Sequence, residues 1–437
     1  MNQEQEQERK RKQKAEAQRR RRKRRSKAKR DLTREQQLAR GPVDLPFLML
    51  TLLLLGIGLI MLLSASSYAA RYDRNAGYDA LAGTFGDPFY FFRHQAIFAV
   101  AGIAAMFGIS RWNYQNLRWM SLPVLGAAVV LLILVLTPLG VTANHATRWL
   151  KLLFVAGPTY QPSEIAKLGV VLTFSAMLSK RRTGPRKFKR QLKQPWQFLR
   201  GVAYGSGFME LIPYGAILLV LSVLMIKEPH LSGTILILAG GAAILFASGI
   251  HLAWFGAGIS AVAAVGYYII FIKGYNSSRL DIWLDPWSDP QNTGYQMVQS
   301  LYAVSSGGLT GMGFGLSRQK YLYLPEEQND FIFAVISEEL GFVGATLIVV
   351  LFALLVIRGY WLALHARDRF GSLLVVGITT MLAVQVFLNM AVVTNVIPCT
   401  GISLPFFSYG GTALLIQLAE MGIVLAVSRQ IPAAKQG

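Results

Sequence analysis

The chain has 437 residues, of which 53% are hydrophobic and only 15% are charged. One soluble core cannot bury that much apolar surface, so the composition excludes an ordinary soluble protein and indicates a polytopic membrane protein. The formal net charge of +21 comes from 44 Lys and Arg against 23 Asp and Glu. The position of this charge along the chain determines how it is interpreted.

The positive charge is concentrated in a tail at residues 1–45 and in a loop at 181–205. The tail is rich in Lys, Arg, Gln and Glu and almost without apolar residues, so we expect it to be disordered and to interact with membrane lipids. No aromatic residue lies between its basic positions for bases to stack on, so we expect no nucleic-acid binding.

Runs of apolar residues recur along the chain at the length of about 20 that a hydrocarbon core of about 30 Å requires. They predict an all-α polytopic membrane protein with about ten transmembrane helices. The predicted spans are 46–66, 94–110, 119–140, 163–179, 211–227, 232–249, 252–272, 331–357, 373–394 and 411–427.

The charge distribution orients these spans. By the positive-inside rule, the tail and the loop at 181–205 are both cytoplasmic. An even number of predicted spans separates them, so the two placements agree. We therefore predict a multi-pass protein of the cell membrane, with a transmembrane domain at 46–430, a short cytoplasmic tail at 431–437 and both termini in the cytoplasm. The large loop at 273–330, between helices 7 and 8, then lies outside.

Two Asp-Pro pairs occur in this outer loop, Asp285-Pro286 and Asp289-Pro290. Each proline fixes its own φ and keeps the preceding residue extended, so both carboxylates are predicted to lie on stiff backbone. Asp289 has two interpretations. It is either the acidic group of a reaction site, or a local group that solvates the loop or caps the helix predicted to begin near Tyr295.

Ionisable residues also lie at membrane depth. Glu164 and Lys167 are three residues apart on one face of the fourth span, where they could pair, and Glu338 and Glu339 lie in the eighth. Burying such groups costs several kcal/mol unless they are paired or reach water. They therefore predict a polar cavity inside the bundle, with hydrogen bonding between helices as the structural alternative.

Cations accompany these acids. Arg148 precedes the fourth span, and Arg279 and Lys320 flank the Asp289 segment. Such cations would suit a substrate that carries a phosphate or pyrophosphate, although Arg148 could instead extend to the membrane interface. No GxxxxGK[ST] segment is present, so we expect no nucleotide cofactor. The Gly-rich run at 307–315 predicts backbone that approaches a ligand or a neighbouring helix closely.

Several motifs in order make the chain recognisable: Asp87–Gln95, Gln161–Lys167, Glu228–Thr234, Asp289-Pro290 with Gly294-Tyr295-Gln296, Leu324-Pro325-Glu326 with Asp330–Ala334, and Thr400–Gly411. With these motifs the chain resembles the SEDS family of shape, elongation, division and sporulation proteins, which includes FtsW, RodA and SpoVE. The resemblance extends from about residue 46 to 430. The segments Ser64–Ser67 and Asp87–Phe92 are more similar to the division and sporulation branch.

The resemblance implies a bacterial peptidoglycan glycosyltransferase that polymerises lipid II into glycan strands, for a division or sporulation septum. It also implies an essential Asp in the large outer loop, a position that Asp289 matches. Asp289 would accept the proton of the acceptor hydroxyl in one inverting displacement that releases undecaprenyl pyrophosphate. We assign substrate binding to six residues: Arg148, Glu164, Lys167, Arg279, Lys320 and Glu326.

The expected partners are lipid II, the growing glycan strand, a class B penicillin-binding protein that crosslinks the strands, and other divisome proteins. A divalent cation, Mg or Mn, could bridge the pyrophosphate, with ligands that the sequence does not identify. Three alternatives remain open at this point: a lipid II flippase or transporter, a RodA-like elongation polymerase, and a non-catalytic scaffold. Gln291-Asn292-Thr293 departs from the Gly-containing turn that the family usually has after its Asp-Pro pair.

Overall fold

The protein is represented by a computed structural model that describes residues 41–72, 86–143, 146–151, 159–180, 208–250, 254–260 and 277–431. Residues Val43–Ile431 form one compact unit. Four predicted segments lie wholly or largely outside the described residues: the basic tail, the basic loop at 181–205, the span at 252–272 and the tail at 431–437.

Long helices make up most of the described chain. They are α1 Leu45–Tyr72, α2 Tyr90–Ser110, α3 Leu117–Val135, α4 Pro162–Ser179, α5 Phe208–Lys227, α6 Leu231–Ala247, α7 Ser277–Leu284, α8 Tyr295–Ser306, α9 Ile332–His365, α10 Arg369–Val393 and α11 Gly411–Ser428. Residues 254–260 are also helical.

Among the described residues, seven helices are long and apolar enough to cross a membrane: α1, α2, α3 with the 3-10 turn before it, α5, α9, α10 and α11. This confirms the predicted class, an all-α multi-pass membrane protein. Helices α4 and α6, also predicted as spans, complete the bundle. Helix α4 packs against α3, α6 and α10, and most of its side chains are buried.

Several helix boundaries differ from the predicted ones. Helix α1 continues beyond residue 66 to Tyr72, and α9 continues beyond 357 to His365. Helix α3 stops at Val135 instead of 140, shortly before Pro138, which disfavours helical backbone at the residue that precedes it. The polar loop that begins at Arg279 is helical up to Leu284.

Helix α7 ends where the first Asp-Pro pair begins. Asp285 has φ −143° and ψ 89°, and its Oδ1 accepts a hydrogen bond from the Trp287 amide at 3.0 Å. Asp289 has similar angles, with φ −141° and ψ 71°. Both aspartates are outside the helical region, as predicted, but their ψ values lie below the range of regular extended backbone.

A small three-stranded antiparallel sheet lies between α3 and α4, which sequence patterning did not predict. Its strands are β1 Gly140–Ala143, β2 Ala146–Lys151 and β3 Thr159–Tyr160, in the order β1-β2-β3. Trp149 of β2 pairs with Val141 of β1, and Leu150 pairs with Tyr160. The sheet places the β2 side chains next to the first turn of α4.

The Gly-rich segment packs into a break in α9. Gly341 interrupts α9 with φ 66°, and the Phe342 amide donates to the Gly308 carbonyl oxygen at 2.9 Å instead of continuing the helix. A Cβ on Gly341 would lie 2.2 Å from the backbone nitrogen of Gly311. Glycine is therefore required at this crossing. Of the two predicted roles of the segment, close approach to a neighbouring helix is the one observed.

Candidate active site

A cavity of about 320 Å³ lies where β2, the first turns of α4, α6 and α11, and the segments before α9 and after α10 come together. Its polar lining includes Arg148, Glu164, Lys167, His230, Arg279, Gln296, Glu326, Asp330, Gln385 and Tyr409. The predicted polar cavity is therefore present around Glu164 and Lys167, and its irregular backbone is tolerated because it lines a cavity. Glu338 and Glu339 do not line it: Glu338 accepts a hydrogen bond from the Ser317 hydroxyl, and Glu339 pairs with Lys320.

Glu164 and Lys167 form the ion pair that their spacing predicts. Lys167 Nζ lies 2.8 Å from Glu164 Oε2 across one turn of α4, and both side chains are almost completely buried. Lys167 Nζ also donates to Gln385 Oε1 of α10 at 3.2 Å, and Gln385 Nε2 donates to the Ser403 carbonyl oxygen at 3.0 Å. The cation is thus held at the cavity wall by two helices.

Each arginine of the cavity is anchored by a backbone carbonyl. Arg148 on β2 donates from Nη2 to the Pro229 carbonyl oxygen, between α5 and α6. Arg279 on α7 donates from Nη1 to the Cys399 carbonyl oxygen at 3.0 Å, in the segment after α10. These bonds fix the positions of the two guanidinium groups and leave their positive charges at the cavity.

Asp330 is a carboxylate of the cavity at the end of the segment before α9. Asn389 Nδ2 donates to its carbonyl oxygen at 2.8 Å, which fixes its backbone. Gly401 provides space for the carboxylate, because a Cβ there would lie 3.1 Å from Asp330 Oδ2. Burial, and secondly the charge of Glu326, raise the pKa of Asp330 to about 6, although two arginines act against the rise.

His230 lines the same cavity as a neutral imidazole. Its side chain is buried. Burial, followed by the positive charges of Arg148 and Lys167, lowers the pKa of His230 to about 3. Near neutral pH this residue offers a hydrogen-bond donor and an acceptor but no charge.

Asp289 lies outside the set of residues that line the cavity. Its carboxylate is partly exposed and accepts hydrogen bonds from the Thr293 amide at 3.1 Å, the Thr293 hydroxyl at 2.8 Å and Asn292 Nδ2 at 3.0 Å. These bonds, those of Thr293 first, lower the pKa of Asp289. Its carbonyl oxygen accepts from Gly294, two residues before cavity-lining Gln296.

Lys320 lies away from the cavity. It is buried and paired with Glu339 of α9, with Nζ and Oε1 3.0 Å apart. Lys320 Nζ also donates to Ser64 Oγ at 3.2 Å. Of the residues assigned from the sequence, Arg148, Glu164, Lys167, Arg279 and Glu326 come together at the cavity, whereas Asp289 and Lys320 do not.

The sequence and the fold are similar to those of known proteins. The FtsW/RodA/SpoVE family, described as cell cycle protein, matches residues 45–432. The chain belongs to the FtsW/RodA/SpoVE family. Stage V sporulation protein E of Bacillus subtilis is 40% identical over 389 residues, which are 88% of this chain and 97% of that protein. A probable peptidoglycan glycosyltransferase FtsW of Geobacter metallireducens is 35% identical over 391 residues, 89% of this chain and 95% of that protein.

Solved structures of FtsW/RodA/SpoVE relatives share the fold. A chain from a study of how a peptidoglycan synthase complex coordinates polymerization and crosslinking superposes with a TM-score of 0.65 at 27% identity, covering 89% of this chain and 98% of that one. The rod shape determining protein RodA of Thermus thermophilus gives a TM-score of 0.59 at 25% identity, covering 90% and 98%.

Five of the polar cavity residues named above were not assigned to the site of this FtsW/RodA/SpoVE protein from the sequence: His230, Gln296, Asp330, Gln385 and Tyr409. Asp330 and His230 lie within motifs that carry the family resemblance; His230 directly precedes α6, and Asp330 lies two residues before α9. A polar residue at the mouth of a membrane span is the signal that could have indicated them.

Within the described residues, no group of three or more His, Cys, Asp or Glu side chains is arranged to hold a metal ion. The divalent cation expected from the sequence therefore has no assigned ligands in this part of the FtsW/RodA/SpoVE chain. No step of the reaction proposed below depends on it.

Proposed function

We propose that this protein is a peptidoglycan glycosyltransferase that polymerises lipid II at the outer face of the bacterial cell membrane, for a division or sporulation septum. The main support is the cavity that gathers Arg148, Lys167 and Arg279, together with Gln296 of the helix that follows the Asp-Pro loop. Cations in such a cavity are suited to a diphosphate leaving group. Its FtsW relatives are named probable peptidoglycan glycosyltransferases, which agrees with this assignment.

The reaction is one displacement at the anomeric carbon of the donor. The acceptor sugar's 4-hydroxyl attacks that carbon and loses its proton to Asp289, while the bond from the carbon to the diphosphate breaks and its electron pair leaves with undecaprenyl diphosphate. Arg148 and Arg279 stabilise the negative charge that develops on the leaving group. The configuration inverts, so no second carboxylate is needed as a nucleophile.

The position of Asp289 defines where the acceptor binds. Since Asp289 lies outside the cavity but next to α8, whose Gln296 lines it, we place the diphosphate inside and the acceptor sugar at the entrance, between Gln296 and the Asp-Pro loop. Carboxylates are general bases only within hydrogen-bond reach of the proton that they accept. Asp289 is partly exposed, as an acceptor arriving from outside requires.

We also propose an orientation of the chain in the membrane and a partner protein. Both termini lie in the cytoplasm, so the cavity and the Asp-Pro loop face outward, where polymerisation occurs. A class B penicillin-binding protein crosslinks the strands and docks through its membrane helix on the lipid-facing bundle. Exposed apolar side chains on α2, such as Ile97 and Val100, offer surfaces of this kind.

Incubation with labelled lipid II tests the function. The purified full chain, with and without a candidate class B partner, should give a ladder of glycan strands on a gel. A flippase would instead move lipid II across the bilayer of reconstituted vesicles and leave it unpolymerised. Transport without any polymer, in the presence of each partner tried, would contradict the proposed activity.

A further inference from the structure

The charges around the cavity nearly cancel before a substrate enters. Its lining contains the cations Arg148, Lys167 and Arg279 and the carboxylates Glu164, Glu326 and Asp330, and His230 is neutral. Lys167 and Glu164 neutralise each other across 2.8 Å. Glu228, between α5 and α6, also faces Arg148, but burial raises its pKa to about 8, so it is mostly protonated near neutral pH. Among the described residues the two arginines are therefore balanced by Glu326 and Asp330, and an incoming dianion would leave the site with excess negative charge.

Asp330 is the carboxylate whose protonation would remove this excess negative charge. Burial, and secondly the charge of Glu326 on the same segment, raise the pKa of Asp330, whereas Arg148 on β2 and Arg279 on α7 lower it. Cys399, after α10, also faces Asp330, but burial raises the pKa of its thiol, so it stays neutral. The remaining charged groups of the cavity, Glu164 and Lys167, are paired with each other.

We propose that the diphosphate of lipid II replaces Asp330 as the counter-ion of Arg148 and Arg279, and that Asp330 takes up a proton from solvent when it does so. This inference rests on the proposed function, since it takes lipid II as the ligand. It makes Asp330 a binding residue whose protonation is coupled to the substrate, distinct from Asp289, which accepts the proton of the acceptor.

The direction of the coupling follows from elementary electrostatics. A nearby anion raises the pKa of a carboxyl group, so Asp330, already at about 6, is protonated near neutral pH once the diphosphate binds. Binding with proton uptake weakens as pH rises, by up to about tenfold per pH unit between the pKa of the free site and that of the complex. The diphosphate of lipid II is a diester without a proton that titrates in this range, so the dependence belongs to the protein.

Calorimetry on the wild-type chain tests the coupling without any substitution. Lipid II is titrated into the detergent-solubilised protein at about pH 7 in two buffers that differ in their enthalpy of ionisation. The difference in observed heat gives the number of protons exchanged. We expect net uptake approaching one proton and a dissociation constant that increases from about pH 6 to pH 8.

Variants assign the proton to its residue. Asp330→Asn should abolish the uptake, make lipid II affinity independent of pH and bind more tightly than wild type at pH 8, because a competing anion is gone. Asp330→Glu should retain the uptake. Asp281→Asn is the matched control, because it removes the same charge from an exposed position on α7; it should retain the wild-type uptake.

Two results would overturn the inference: no proton uptake by the wild type, or unchanged uptake by Asp330→Asn. If uptake is unchanged in Asp330→Asn and lost in Glu326→Gln, the proton belongs to Glu326 instead. Polymerisation by the wild type without proton uptake would refute this inference alone. Absence of both polymerisation and lipid II binding would refute the proposed function as well.

Discussion

Asp289 and Asp330 are two carboxylates with opposite environments. Asp289 is partly exposed and accepts three hydrogen bonds, which lower its pKa. Asp330 is enclosed at the cavity, where burial raises its pKa to about 6. Environments that separate the pKa values of two acids also separate their roles. Asp289 stays ionised and available as a base, whereas Asp330 can change its protonation state near neutral pH.

Thr293 should therefore control the pH dependence of the reaction. Its hydroxyl and amide keep the pKa of Asp289 low, so Asp289 remains ionised in acid. Thr293→Ala removes the hydroxyl bond and should shift the acidic limb of the pH–rate profile of polymerisation to higher pH, since a base must be ionised to accept a proton.

Ser288→Ala is the control for this shift. Its hydroxyl donates to the Asp285 carbonyl oxygen in the same loop and not to Asp289. The acidic limb of this variant should coincide with that of the wild type. If Thr293→Ala also leaves the limb in place, Asp289 is not the group that titrates in the reaction.

At the level of elements, the irregular segments are held by polar side chains from the helices. The segment before α11 is fixed by Gln95, whose Nε2 donates to the Ser408 carbonyl oxygen at 3.1 Å and whose Oε1 accepts from Gly410 at 3.1 Å. Asn389 bonds both this segment, at Ile402, and Asp330. Buried backbone without regular structure needs such partners.

The ion pair between Lys320 and Glu339 fastens the large loop to α9 and α1. Both side chains are buried, with 5% and 0% exposed. Lys320→Met leaves the Glu339 carboxylate uncompensated and should cost about 3–5 kcal/mol in free energy of unfolding. The double variant Lys320→Met with Glu339→Gln should recover most of the loss, and both can be measured by denaturant unfolding in detergent.

The exposed pair of Arg93 and Asp87 provides the comparison, with 68% and 36% of the side chains exposed. Asp87→Asn should change stability by less than about 1 kcal/mol. A normal KM for lipid II in the double variant Lys320→Met with Glu339→Gln would show that Lys320 does not bind substrate. If Lys320→Met lowers the free energy of unfolding no more than Asp87→Asn does, the role of Lys320 in fastening the loop is contradicted.

The sequence predicted the elements that are determined by apolar runs or by helical spacing. Spans such as α10 and α11 follow from apolar runs, and the pairing of Glu164 with Lys167 follows from helical spacing. The sheet around Arg148 was not predicted even though its strands are neighbours in the chain. The pairing of Lys320 with Glu339 could not be predicted, because it depends on how the large loop folds back onto α9, which neither apolar runs nor helical spacing encode. For the same reason the sequence could not show that Asp289 lies outside the cavity.

On the scale of the whole molecule, the helices bring distant loops to one end of the bundle. The cavity takes its residues from β2, α4, α7 and the segments beside α9 and α11, so no single motif contains the site. The family resemblance spans these same segments in order. The fold therefore gathers the cations at one cavity, and in the proposed mechanism the Asp-Pro loop supplies the base.

One measurement tests most directly whether the cavity binds the diphosphate while Asp289 acts as the base. The variant Asp289→Ala, purified with its class B partner, is assayed both for lipid II binding and for glycan synthesis. In the proposed mechanism the cavity, and not Asp289, holds the diphosphate, so we predict lipid II affinity within about twofold of the wild type and no glycan ladder. Full polymer yield from Asp289→Ala would contradict the catalytic assignment. Loss of lipid II binding would contradict the placement of the diphosphate inside the cavity.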